Sequence, residues 1–283
     1  MTKDRVKQID DLNKRAYSVK NRFLRMYKAA NAGHIGCSLS CAEMLVFLKF
    51  AWISKDDKLV LSKGHAAAAL YSVLIEEGSL SEDEGNSFYK DGTHLSGHPP
   101  FNKIKGIPFA TGSLGHGLSW CAGMGMASRL KKEKNRIFCV TSDGELDEGS
   151  VWEAALFIAH HRLLNVIWLI DRNKIQGINR TEDVMALEPL ADKLKSFGFW
   201  VLSVDGHDFN SLFAMKEKID EASDHRKLPN VVICKTVKGH GISFMQDTVD
   251  CHYLPFKDDQ YERALLELEF QYKENVNRRV HAG

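Results

Sequence analysis

The sequence predicts an α/β fold, a parallel sheet flanked by helices, and three observations carry that prediction. Residues 136–141 (RIFCVT) read as a buried strand, and Ser142-Asp143-Gly144 breaks it with residues suited to a tight turn. A helical stripe follows, with Trp152, Ala155, Leu156, Ala159 and Leu163 at i, i+3, i+4 spacing, and then a second apolar strand over 166–170. Two more strands are expected at 200–204 and 231–234, separated by amphipathic stretches around 187–197 and 209–222. Strands alternating with helices build right-handed parallel units, and such sheets hold ligands at the carboxyl ends of their strands.

The remaining elements follow in chain order. The first 23 residues lack an apolar signal core and place Ile9, Leu12, Ala16, Val19 and Phe23 at helical spacing, which predicts a docking helix rather than a leader. Cys37 and Cys41 lie four apart on an expected helix, where packing is the better account of both. Gly123 and Gly125 are expected at close-packing positions, Lys131-Lys132-Glu133-Lys134 in a solvated linker, and Ser150 at a helix start. Tyr261, Leu265 and Leu268 predict a last helix, followed by a polar, frayed end through Asn275 to Gly283. The expected division is a ligand-binding α/β domain over residues 1–255 and a helix with tail over 256–283.

Chemistry enters at the two strand ends. The unit of strand, helix and strand brings Asp143 and Asn173 to the same edge of the sheet, although they stand about thirty positions apart. A carboxylate and an amide oxygen, with a backbone carbonyl nearby, are hard ligands that Mg²⁺ accepts when phosphates and water fill its other positions.

Composition excludes several classes. The chain has 283 residues, 44% hydrophobic and 27% charged, with a formal net charge of +1, so it can bury a large core and has no polyelectrolyte character. Its basic residues are interspersed with acids, which argues against nucleic acid. No run approaches the roughly twenty apolar residues that span a bilayer. The six cysteines show neither CxxC pairs nor zinc spacing, as expected of a reduced cytoplasmic protein, and Cys139 falls inside a strand. No GxGxxG follows the first strand, which disfavours a dinucleotide-binding dehydrogenase.

At Asp143-Gly144 and Asn173 the chain resembles the thiamine-diphosphate enzymes, in particular the amino-terminal half of transketolase. That family's cofactor signature begins Gly-Asp-Gly and ends Asn-Asn about thirty residues later. Here the ends read Ser142-Asp143-Gly144 and Arg172-Asn173. Gly33-His34-Ile35-Gly36, Leu61-Ser62-Lys63-Gly64-His65, Ser96-Gly97-His98-Pro99 and Thr111-Gly112-Ser113-Leu114-Gly115-His116-Gly117 resemble further family motifs, in the family's order. Lys235-Thr236-Val237-Lys238-Gly239-His240-Gly241, followed by His252, is similar to the segment that closes this half. Departures lie at Ile35, Ser113, His116 and Arg172, around the expected site.

The resemblance implies roles. Asp143 and Asn173 would ligate Mg²⁺ (or Ca²⁺ or Mn²⁺) through their side chains, and Ile175 through its carbonyl. Gly144 would admit the diphosphate closely, with Asn173 also on the cofactor and His65 contacting the diphosphate. Gly112, Ser113 and Leu114 would hold the aminopyrimidine, and His34, His98 and His252 would line the route to the thiazolium carbon. His240 competes with His252 for that place. Glu148 complements a helix dipole, and in the family its equivalent lies at the interface between subunits and couples two cofactors. His160 and His161 carry no expected chemistry.

A full transketolase continues into a pyrimidine-binding domain and a third domain, so the resemblance implies half an enzyme. A separate carboxyl-terminal chain would complete an α₂β₂ assembly acting on sugars or sugar phosphates by ketol transfer. Deoxyxylulose-phosphate synthase is the weaker relative, because residues 145–149 and 151–155 look like transketolase. Two alternatives stay open: a non-catalytic scaffold subunit with the same fold, and the α subunit of a 2-oxoacid dehydrogenase.

Overall fold

Backbone pairing at the centre of the chain follows the apolar runs closely. The computed structural model describes residues 2–101, 103–222, 227–257 and 259–280. Strands β1 (Lys58–Leu61), β2 (Ile137–Ser142), β3 (Val166–Arg172), β4 (Trp200–Asp205) and β5 (Asn230–Lys235) form one parallel sheet in the order β1-β2-β3-β5-β4. The strands expected from the sequence agree to within two residues at each end. Strand β1, only four residues long, is too short to announce itself by periodicity.

The central strands are apolar along their middles, with polar residues at their ends, because both faces are covered. Phe138, Val140, Ile167, Leu169, Val232 and Cys234 enter one core, and Ile137, Cys139, Trp168, Ile170, Val231 and Ile233 enter the other. This is the period-two alternation of strand side chains, with a helical layer on each side.

The first layer holds α1 (Lys3–Ala30), α2 (Ile35–Phe47), α3 (Ala67–Glu77), α9 (Phe209–Ala222) and α10 (Gln260–Val280). Helix α1 starts at Thr2, whose Oγ1 accepts from the Arg5 N–H at 3.3 Å, and stops at left-handed Asn31. All five of its expected docking residues are buried. Ile35–Trp52, which is α2 with the π-helical turn that extends it, is apolar enough to pass as a membrane span by composition, contrary to the sequence expectation. It is 83% buried inside the fold, so its hydrophobicity serves the core. Helix α10 lays Ala264 and Leu268 into this same core. It runs on to Val280, past the point where a frayed end was expected, and 281–283 lie outside the described residues.

The second layer holds α5 (His116–Leu130), α6 (Gly149–His160) and α8 (Leu190–Ser196), while α4 (Glu82–Gly85) and α7 (Thr181–Val184) are single turns. The inward face of α6 is Val151, Ala154, Ala155 and Ile158; of the expected stripe, Ala155 lies on that face and Trp152 and Ala159 pack at its edge. Leu156 is 56% exposed, and Leu163 is buried beyond the helix end. The expected helix over 187–197 shortens to seven residues. Gly125 is close-packed as expected, since a Cβ there would lie 2.5 Å from Val166, whereas Gly123 faces open space.

Candidate cofactor site at the carboxyl edge of the sheet

Register brings the site together. Ser142 pairs with Asp171 and Arg172 with Lys235, so the turns after β2, β3 and β5 leave the sheet side by side. They enclose a cleft of about 410 Å³ lined by His34, His65, His98, Gly112, Leu114, Ser142, Asp143, Gly144, Asn173, Ile175, Gln176, Gly177, Ile178, Lys238, His252 and Tyr253. Ser113 and Glu148 are the expected site residues missing from this lining, and both are exposed. His240 is elsewhere, stacked on His207 with ring centroids 3.5 Å apart, so His252 takes the cleft position.

Four histidines from four separated loops converge. Rings of His65, His98 and His252 lie 5.7, 6.0 and 5.3 Å from that of His34. His34 itself has φ of 70°, a left-handed conformation uncommon for a residue with a Cβ. Its N–H donates to the His252 carbonyl at 2.6 Å, and a Cβ on Gly33 would lie 2.2 Å from the Tyr253 carbonyl oxygen. The glycine before His34 therefore lets two distant loops touch. Gly112 has φ of 147°, and a Cβ there would press on the His98 ring at 3.2 Å.

Electrostatics keep these imidazoles neutral. Burial, then the neighbouring His98 and Lys238, lowers His34 to about 4. Burial and Lys238 bring His252 to about 2. His65 falls well below its ordinary value through burial and then Lys63, and burial alone lowers His98. Neutral imidazoles each offer one donor and one acceptor, which suits binding and proton exchange among hydroxyl and carbonyl oxygens.

Below the cleft, Lys63 and Asp171 form a fully buried ion pair. Ser40 Oγ donates to the same carboxylate at 2.6 Å, Asn173 Nδ2 at 3.2 Å, and Thr236 Oγ1 makes a further short contact. This network fixes Asn173 from beneath. Sequence reading missed both Asp171 and Lys238, because each sits in an otherwise ordinary strand end or loop.

The three residues expected to supply hard ligands, Asp143, Asn173 and Ile175, line the same cleft. Asp143 is 1% exposed, and its Oδ2 accepts from Arg172 Nη1 at 3.0 Å and the Lys174 N–H at 2.6 Å, while Oδ1 accepts from Gly144 at 2.8 Å. Asn173 Oδ1 accepts from the Ile175 N–H at 3.1 Å, and the Ile175 carbonyl accepts from Lys238 Nζ at 2.8 Å. Each of the three groups retains a lone pair. Burial and the nearby Asp171 still push the Asp143 carboxyl up in spite of Arg172, which marks negative charge that a cation would balance. The residues fit a hard divalent ion shared with a diphosphate.

Comparison with known proteins decides the family. The profile for "Transketolase, thiamine diphosphate binding domain" matches residues 15–280. The chain belongs to the transketolase family. Among transketolases, it is 35% identical over 270 residues to an apulose-4-phosphate transketolase subunit of Phocaeicola vulgatus, covering 92% of this chain and 95% of that protein. It is 34% identical over 268 residues to the 6-deoxy-6-sulfo-D-fructose transketolase subunit SqwG of a Clostridium species, covering 92% and 96%. The transketolase structure from Campylobacter jejuni superposes with a TM-score of 0.83 at 27% identity, over 91% of this chain but 42% of that one. This transketolase domain thus spans under half the length of the solved transketolases, and nearly all of the two subunit relatives.

Proposed function

We propose that this chain is the diphosphate-binding subunit of a two-chain transketolase that moves a two-carbon ketol unit from a ketose donor to an aldose acceptor. The observation that carries the reading is one cleft lined by four histidines together with Asp143, Asn173 and Ile175, in a chain coextensive with proteins named as transketolase subunits. When bound, thiamine diphosphate supplies the nucleophilic carbon and the electron sink for breaking the bond between C2 and C3 of a ketose.

The protein's part is binding, orientation and proton handling. Asp143, Asn173 and the Ile175 carbonyl would hold Mg²⁺, or Ca²⁺ or Mn²⁺, and Gly144 would let the diphosphate approach. His65 would donate to the diphosphate, and the backbone of Gly112, Ser113 and Leu114 would hold the aminopyrimidine. His34, His98 and His252 would bond the donor's hydroxyl and carbonyl oxygens and pass protons among them. Since Lys238 Nζ lies 2.6 Å from His252 Nδ1 and an ammonium only donates, the His252 proton resides on Nε2.

The partner chain would bring the pyrimidine-binding and carboxyl-terminal domains, and two pairs would assemble as α₂β₂. Exposed apolar side chains on α5 and α6, Leu130, Leu156 and Phe157, with Leu164 just beyond α6, support contact between two copies of this subunit. Glu148, exposed at the start of α6, would lie at that contact. We place the enzyme in the cytoplasm, where six cysteines without disulfides suit a reducing compartment. Its substrates would be sugars or sugar phosphates; the two subunit relatives are named for a phosphorylated sugar and a sulfosugar.

Calorimetric titration of thiamine diphosphate with Mg²⁺ tests the reading, using this chain alone and mixed with a carboxyl-terminal transketolase chain. Tight, metal-dependent binding in the mixture is expected. A mixture that forms the complex yet binds no cofactor would replace this reading with a scaffold role.

A further inference from the structure

We propose that Glu145 is a positioning residue for the cofactor cleft, joining three of its loops through one buried carboxylate. The proposal rests on the functional reading above, and it concerns a residue outside the cleft lining. Glu145 is 0% exposed. Its Oε1 accepts from the Gly115 N–H at 2.9 Å and makes a short contact with Ser62 Oγ, while Oε2 accepts from the Ser142 N–H at 3.3 Å.

Those three donors belong to the turn leading to His65, the loop carrying Gly112 and Leu114, and the strand end leading to Asp143. The carboxylate therefore ties together segments that meet nowhere in sequence. Packing around it leaves little slack: a Cβ on Gly117 would lie 2.1 Å from Ser62 Oγ, and one on Gly115 would lie 2.4 Å from Ser150 Oγ. Burial pushes the Glu145 carboxyl up, and its hydrogen bonds from Ser62, Gly115 and Ser142 pull it back.

Chemistry explains why a carboxylate is needed. All three neighbours donate, so the group between them must accept at both oxygens. A carboxylate does this, whereas the amide of glutamine would set an NH₂ against an N–H or hydroxyl donor. Burying a carboxylate is unfavourable compared with an apolar side chain of similar size, so stability alone is a poor reason for one here. Holding loops in a fixed relation, ready for the cofactor, is a use that an apolar residue would not serve.

The test uses Glu145→Gln, Ser62→Ala and the double variant, each assembled with the partner chain and titrated with thiamine diphosphate and Mg²⁺. Unliganded melting temperature and amide exchange over residues 111–117 are measured in parallel. Glu145→Gln should weaken cofactor binding about tenfold or more and Ser62→Ala about threefold, with the double variant no worse than Glu145→Gln because both act on one junction. Exchange over 111–117 should accelerate in each.

A folded Glu145→Gln that binds cofactor within about twofold of the wild type would overturn the proposal, even if it melts earlier, since stability without affinity is a purely structural role. If Glu145→Gln does not fold, Ser62→Ala decides: unchanged affinity and unchanged exchange overturn the proposal. Absence of binding by the wild-type complex would overturn the functional reading itself. Binding by the wild type with indifferent variants would overturn only the role of Glu145.

Discussion

Lys238 donates from Nζ to Nδ1 of His252 at 2.6 Å and to the Ile175 carbonyl at 2.8 Å. One side chain, 2% exposed, thereby links a cleft histidine to the backbone that follows Asn173.

Replacing this lysine should release the His252 tautomer. Lys238→Met is expected to give mixed Nδ1-H and Nε2-H signals in imidazole ¹⁵N spectra and to lower the turnover of the assembled enzyme by about 100-fold. A single unchanged tautomer in the variant would show that the ring is fixed by other means.

The neutral histidines make the protein acid-sensitive. Their folded values are lowered, to about 4 for His34 and about 2 for His252, from an ordinary 6.5. As pH drops below 6.5 the unfolded chain binds protons that the native state refuses, so stability present at neutral pH is lost progressively toward those folded values. Between pH 6.5 and 5, His252→Gln should lose about 2 kcal/mol less than the wild type in urea denaturation. Parallel pH profiles would mean that His252 is not held neutral.

Charge at the hard-ligand set should act in two directions. Asp143→Ala is expected to abolish metal-dependent cofactor binding while the fold survives, because Arg172 keeps Glu182 and Glu188 as partners. Arg172→Met removes a cation from beside Asp143 and should tighten Mg²⁺ binding about fivefold. Calorimetry reads both, and weaker Mg²⁺ binding by Arg172→Met would contradict the sign.

Glu43 anchors the other side of the Lys238 loop. It pairs with Lys20 and accepts from His207 Nδ1 at 3.0 Å, and His207 Nε2 accepts from the Val237 N–H at 2.9 Å. The Lys20 and Glu43 side chains are only 7% and 8% exposed, so Glu43→Ala leaves a buried charge and should cost about 3–5 kcal/mol. Denaturant titration checks the loss, and amide exchange at Val237 should rise with it.

The outer face of α5 and α6 carries the assembly prediction. Leu156→Asp with Phe157→Asp should leave this subunit bound to its partner chain but halve the mass of the complex in sedimentation. An unchanged mass would place the contact between copies elsewhere.

Much of this was legible in residue order. Strands β2, β3 and β5 announce themselves because both faces are covered, so no polar residue interrupts them. His34, His65 and His98 stand out because the glycines beside them serve close loop contacts that any Cβ would block. Leu156 misled because a helical stripe looks the same whether it faces a core or the outer surface, where Leu156 lies. Lys238, Asp171 and Glu145 were unreadable in advance, since a buried polar group is recognised by the groups it bonds, and His252, Lys63, Ser62 and Gly115 lie far from them in sequence.

The sequence alone determined the parallel α/β architecture, the meeting of Asp143 with Asn173 and the family resemblance, because strand periodicity and right-handed crossovers are local properties. Only the tertiary structure decided between His252 and His240, buried Lys63 against Asp171 and brought Glu145 against Ser62 and Gly115. Those outcomes depend on which distant loops pack together, and packing of that kind is set by the whole core at once.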